Sequence, residues 1–247
     1  MNAAALHPWR VSHQQAIEIQ MRLRAEVRLE PLAIPPRLVA GADVAYSRLT
    51  HRMYAAIVVL SVPEMVVVET RRAVMRARFP YIPGLFTFRE LPPLLRAFER
   101  LRAAPDLLVF DGHGLAHPRR FGLACHAGLL LDTPSVGCAK KRLVGEYDAV
   151  GPKRGDRAPL TIGDEMVGAV VRTRPGVKPV YVSPGHRIDI DSAVGAVLLS
   201  LGRYRIPEPT RLAHQATAAM MREIDRRDRA PARRTYPDFV GAVPREP

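Results

Sequence analysis

A chain of 247 residues with 47% hydrophobic and 25% charged residues has the makeup of one globular core, which excludes a disordered chain and leaves little room for two independent domains. No apolar run approaches the ~18 residues of a membrane span, and the opening MNAAALHPWR lacks the basic-then-apolar pattern of a secretion signal. The formal net charge of +13 favours a polyanionic partner, because each neutralised phosphate adds affinity by counterion release; the alternative is that Arg, Ala and Pro are abundant because the coding DNA is biased toward them.

Ser12 and Gln15 stand at capping-box spacing, and Ala16, Ile19, Leu23 and Val27 follow at helical intervals. They predict an amphipathic helix over 12–30, ended by the Pro-rich stretch 31–36. Three segments rich in Val, Ile and Ala follow at 38–47, 53–62 and 65–74, with connections short enough for an antiparallel meander. A loop at 79–84 leads into a helix over about 89–102, whose Pro92 and Pro93 must fall near its first turn, where missing amides cost least. A short apolar strand at 106–110 stops at Asp111-Gly112. Strands at 135–139, 166–172 and 179–183 and helices at 191–202 and 207–227 close the fold, with Asp191 as the N-cap of the first of these helices. Residues 228–247 are charged and Pro-rich without periodicity, and read as a disordered tail. The order predicts a single α/β domain over 1–227, with a mixed central sheet and helices on both faces. That is also the order of the ribonuclease H-like fold.

Two cysteines, Cys125 and Cys138, are too few for a disulfide framework and fit no metal-ligand spacing, so they read as small core residues in a reducing, cytoplasmic setting. The acids carry more. Asp43 lies on an otherwise small, apolar strand, where a carboxylate costs free energy unless it is paired or holds a metal. If the strand ending at Asp111 pairs with the first, both acids point into one cleft at the carboxyl end of the sheet. Taken singly, Asp111-Gly112 reads equally as a turn, and Glu90 as the partner of Thr87 in a capping box. Together, Asp43, Glu90 and Asp111 form a set of hard oxygen donors suited to magnesium rather than zinc. Two such ions can activate a water and steady the leaving oxygen of a phosphodiester.

Several segments resemble the endonuclease V family. They are Gly41-Ala42-Asp43-Val44, Pro80-Tyr81-Ile82-Pro83-Gly84 with Phe88-Arg89-Glu90, and Asp111-Gly112-His113-Gly114 with His117-Pro118-Arg119. Ser135-Val136-Gly137 with Lys140, Ser183-Pro184-Gly185-His186-Arg187 and Pro207-Glu208-Pro209-Thr210-Arg211 extend the likeness from about residue 10 to 220. The resemblance implies a deoxyinosine 3′-endonuclease of DNA repair that nicks the second phosphodiester bond 3′ to hypoxanthine and leaves a 5′-phosphate. It implies magnesium, with manganese able to substitute, held by Asp43, Glu90 and Asp111. Tyr81, Ile82 and Pro83 would form a strand-separating wedge, although a Pro-stiffened connector is the plain alternative. Gly84, Leu85, Gly112 and Gly114, with His117 beside them, would take the flipped base. Lys140 would meet the scissile phosphate, its alternative being a solvated pair with Lys141. His214 would stand near the metals, its alternative being a partly buried helix histidine; His113 stays open.

Partners expected on this basis are deoxyinosine-containing DNA, inosine-containing RNA for some members, and no membrane, with the chain a monomer. Two rivals stand beside this expectation: an inosine-specific endoribonuclease, and a basic nucleic-acid-binding protein without catalysis. The complete acid set speaks against the second, since a pure binder has no use for carboxylates facing phosphate.

Overall fold

The structure, a computed structural model described over residues 1–229, is built on one eight-stranded sheet. Its strands are β1 (Leu38–Tyr46), β2 (Arg52–Ser61), β3 (Val66–Arg76), β4 (Leu107–Phe110), β5 (Ser135–Ala139), β6 (Arg157–Ile162), β7 (Glu165–Val171) and β8 (Val180–Pro184). They lie in the order β3-β2-β1-β4-β5-β8-β7-β6. β1, β2 and β3 form the expected antiparallel meander, and β4 runs parallel to β1. The remaining strands continue parallel at β5 and antiparallel from there to the edge.

Among the described residues five α-helices surround the sheet: α1 (His13–Leu23), α2 (Thr87–Phe98), α3 (Leu123–Leu131), α4 (Ile190–Leu199) and α5 (Glu208–Arg229). The two faces of β1 and β2 separate them by simple alternation. Ala40, Ala42, Ile57 and Val59 pack under α2 and α3. Val39 lies with Val194 and Val197 of α4, while Val58 and Leu60 meet Ala213 of α5. This is the mixed sheet covered on both faces that the order of segments predicts. No helix among the described residues is long and apolar enough to cross a membrane.

The α1 capping box is present in both directions, between Ser12 and Gln15. Four details differ from expectation. α2 begins at Thr87, so Pro92 and Pro93 lie inside it rather than in its first turn. Each deprives a carbonyl one turn earlier of its donor. The N-cap of α4 is Asp189, which accepts from the Ser192 amide at 2.8 Å, while Asp191 pairs with Arg157 at 3.0 Å. α3 and β6 carry no clear sequence signal. The run Leu123–Leu131 is buried on nearly every side and so has no polar face to set a helical period. β6 contains Pro159, which cannot donate to a ladder and is tolerated at the sheet edge. Of the tail expected from Asp228, the first two residues continue α5 and the rest lie outside the described residues.

Candidate active site

β1 outruns β4. Their last paired residues are Ala42 and Phe110, so Asp43 and Asp111 follow at one level where the sheet opens. Glu90, from the first turn of α2, faces the same cavity of about 430 Å³, together with Gly112, His113, Lys140 and Lys141. The capping-box alternative for Glu90 fails, because Thr87 turns its hydroxyl to His126 Nδ1 at 3.2 Å and α2 has no side-chain cap. Asp111 is more than a turn residue: its carboxylate forms an ion pair with Lys140, just beyond the end of β5.

Asp43 is held from α5. Thr217 Oγ1 donates to Asp43 Oδ2 at 2.5 Å, and His214 Nδ1 lies 3.4 Å from the same oxygen. That approach depends on Gly41, where a Cβ would fall 2.1 Å from the Pro209 carbonyl carbon. Only a residue without a side chain lets the start of α5 rest on the strand.

The acids repel one another. Burial, then the charges of Asp43 and Asp111, push Glu90 up to about 8, and burial also raises Asp43. Among the described residues no three His, Cys, Asp or Glu side chains converge tightly enough to make a ready metal cage. The carboxylates line an open cleft instead. Carboxylate oxygens are donors that a hard divalent cation accepts. A divalent cation there would also offset the repulsion that raises Glu90.

The segment 79–84 precedes α2, whose first turn carries Glu90. Tyr81 is 70% exposed at its tip, while Phe79 is buried and its carbonyl accepts from Arg89 Nη1 at 2.9 Å. Ile82 packs against the aromatic cluster around Phe88, and Pro83 is exposed. The loop closes on Gly84, whose φ of +76° favours glycine. Its carbonyl accepts three donors: Gln20 Nε2 at 3.0 Å, His117 Nε2 at 3.0 Å and Arg119 Nη2 at 2.7 Å. His117 is fully buried, and its Nδ1 accepts from the Arg119 amide at 3.2 Å. Burial first, and then the Arg119 charge, push its imidazole down to about 4.

The structure thus brings Asp43, Glu90, Asp111, Gly112 and Lys140 into one cleft, with His214 beside Asp43. Leu85 is buried beneath the loop, and Gly114 packs on the Pro184 carbonyl, where a Cβ would lie 2.0 Å from the oxygen. Sequence reasoning passed over Thr217, although its i+3 spacing from His214 puts both on one helix face. It also passed over Gln20, which no local pattern marks, and gave Arg119 no role beyond its place in the His117-Pro118-Arg119 motif. His113 is buried, with Nε2 on the Lys141 carbonyl at 3.1 Å and Nδ1 without a partner among the described residues.

The model of the family described as Endonuclease V matches residues 21–215. The endonuclease V of Roseiflexus castenholzii is 49% identical over 213 residues, covering 86% of this chain and 95% of its own. A crystal structure of the Streptomyces avermitilis endonuclease V, 43% identical, superposes with a TM-score of 0.84 over 88% of this chain and 96% of that one. A Ciona intestinalis endonuclease V, solved with a 24mer DNA containing an inosine followed by a ribo-adenosine, is 26% identical, with a TM-score of 0.77 over 85% and 98%. The mixed sheet is therefore the ribonuclease H-like one of these proteins. By its family match and by relatives that it parallels over nearly their whole length, the chain belongs to the endonuclease V family of phosphodiester-cleaving nucleases.

Proposed function

We propose that this chain is a metal-dependent repair endonuclease that recognises deoxyinosine in DNA and hydrolyses the second phosphodiester bond on its 3′ side, leaving a 5′-phosphate. The observation that carries this reading is the convergence of Asp43, Glu90 and Asp111 on one cleft, with Lys140 beside them. The inosine-containing DNA bound by the Ciona intestinalis relative supports the choice of substrate.

Asp43, Glu90 and Asp111 would hold magnesium, or manganese in its place. The cation, when bound, polarises the phosphodiester and steadies the leaving oxygen. Thr217 and His214 fix the Asp43 carboxylate from α5, which limits its freedom to turn away from the cleft. Lys140, held beside Asp111, would bring a point charge to the scissile phosphate. Tyr81, with Ile82 and Pro83, parts the strands. We assign the flipped base to Gly84, Leu85, Gly112 and Gly114, with the buried His117 bracing Gly84 from behind. A planar ring at an exposed, stiff tip can fill the space that a base has left.

The test is cleavage of an end-labelled duplex carrying one deoxyinosine, beside an undamaged duplex and an inosine-containing RNA, with magnesium and with EDTA. A magnesium-dependent nick one nucleotide beyond the deoxyinosine, absent from the undamaged duplex, is expected. Asp43→Ala and Asp111→Ala should each lower the cleavage rate by at least about 10³-fold while leaving binding to the inosine duplex within a few fold. Cutting of the RNA alone would move the substrate to ribonucleic acid. Magnesium-dependent cutting by both variants would overturn the ligand assignment.

A further inference from the structure

On the far side of the first turns of α2 from the acids lies a second cavity, of about 600 Å³, between the N-terminal segment, the end of β3 and α2. Trp9, Arg10, Arg76, Arg78, Phe79 and Arg89 give it its character, and no carboxylate lines it. Arg10, Arg76 and Arg78 are exposed, and among the described residues none of them makes an ion pair or a side-chain hydrogen bond. Nearby arginines differ: Arg71 of β3 pairs with Glu69, and Arg52 of β2 with Asp228 at 2.7 Å. Three uncompensated guanidinium groups around one groove repel each other unless a polyanion lies among them.

The floor is aromatic. Trp9 is half-buried, stacked on His126 with ring centroids 5.7 Å apart and planes at 23°, and set edge-on to Phe88 at 6.2 Å. Phe79 closes the groove at the start of the loop that carries Tyr81. Arg89 ties the two regions together, bonded to the Phe79 carbonyl and lying 4.2 Å over the ring of Tyr46 at the end of β1. Arginines around an aromatic floor are the chemistry that holds unpaired nucleic acid, since every base offers a face for stacking and every nucleotide a phosphate. A duplex hides its base faces, and a lone anion has no use for the aromatic floor.

We propose that this groove binds a single-stranded stretch of nucleic acid, with phosphates on Arg10, Arg76 and Arg78 and a base against Trp9. Its position suggests the strand parted from its partner at Tyr81, carried over α2 on the side away from the acids. This second point rests on the proposed function; the binding of a single strand does not.

Trp9 is the only tryptophan of the chain, so its emission reports on the groove. An undamaged 12-nucleotide oligothymidylate is titrated into the full-length protein without metal, following both Trp9 emission and the anisotropy of a labelled oligonucleotide. Quenching that tracks binding is expected. R76E/R78E should weaken binding by about tenfold or more and flatten the salt dependence by roughly 0.7 in log–log slope per lost phosphate contact. R154E/K178E, with the same change in net charge at exposed sites elsewhere, should have a much smaller effect. Binding that leaves Trp9 emission unmoved, or equal losses in the two double variants, overturns the groove. The quench in wild-type protein does not depend on either variant folding. Quenching without cleavage of the inosine duplex upholds the groove and defeats the proposed function; cleavage without quenching does the reverse.

Discussion

A methyl group at position 41 would lie 2.1 Å from the Pro209 carbonyl carbon, a contact that backbone cannot yield to cheaply. Gly41→Ala should therefore destabilise the fold by about 2 kcal/mol, within the usual range for overpacking. It should also slow cleavage, because any retreat of α5 draws Thr217 and His214 away from Asp43. A denaturant midpoint equal to that of the wild type would show that α5 does not rest on Gly41 as described. His117 makes a different demand. Its imidazole is buried neutral and pushed down to about 4, whereas an unfolded histidine titrates near ~6.5. Above the unfolded value neither state is charged and the full stability is present. As pH falls from there toward 4, the unfolded chain takes up the proton first, and roughly 3 kcal/mol is lost over that window. His126 is lowered in the same direction, so the comparison must isolate one residue. Between pH 7.5 and pH 5, His117→Gln should lose about 2 kcal/mol less than the wild type. Identical losses would mean that His117 is not held neutral in the fold.

The loop from Phe79 to Gly84 is anchored at both ends and free at its tip. Phe79 is buried, and the Gly84 carbonyl is gripped by Gln20, His117 and Arg119. Tyr81 is 70% exposed and, among the described residues, makes no ring contact with another aromatic side chain. Tyr81→Ala should thus leave the thermal midpoint nearly unchanged while reducing the preference for deoxyinosine over adenine by about tenfold, the worth of one stacked ring. An unchanged preference would return the loop to a stiff connector. Elements were legible from the sequence to the degree that they present two unlike faces to their surroundings. α1 has a polar side and a capping box, and β1 to β3 are bounded by turns, so both stood out. α3 is enclosed on nearly all sides, so Leu123–Leu131 shows no period, and β6 hides behind Pro159. The prolines of α2 misled for a related reason. Burial of Leu91, Leu94, Leu95 and Phe98 against the sheet outweighs the lost amide donors, a balance that lies in the packing and not in the local sequence.

With a formal net charge of +13, the molecule as a whole carries a field that attracts nucleic acid of any sequence. Affinity for an undamaged duplex should fall by about tenfold or more between 50 and 200 mM salt. An affinity independent of salt would mean that the surplus charge lies away from the bound face. Discrimination for inosine should survive better than affinity, because contacts to a base release no counterions.

The acids, the loop and the family likeness could all be read along the chain, because they depend on which residues occur and in what order. So could the surplus of positive charge, which needs no coordinates, and the meander, since alternation and short turns act within a few residues of each other. What the chain order left open is where those groups meet. Glu90 and Asp43 are 47 positions apart, and Thr217 is 174 positions from Asp43. Their convergence comes from the parallel pairing of β1 with β4, which ends at Ala42, and from α5 settling on Gly41. The brace under Gly84 and the arginine groove around Trp9 also join distant segments. Such sites follow from packing between elements, which no local period or turn dipeptide encodes.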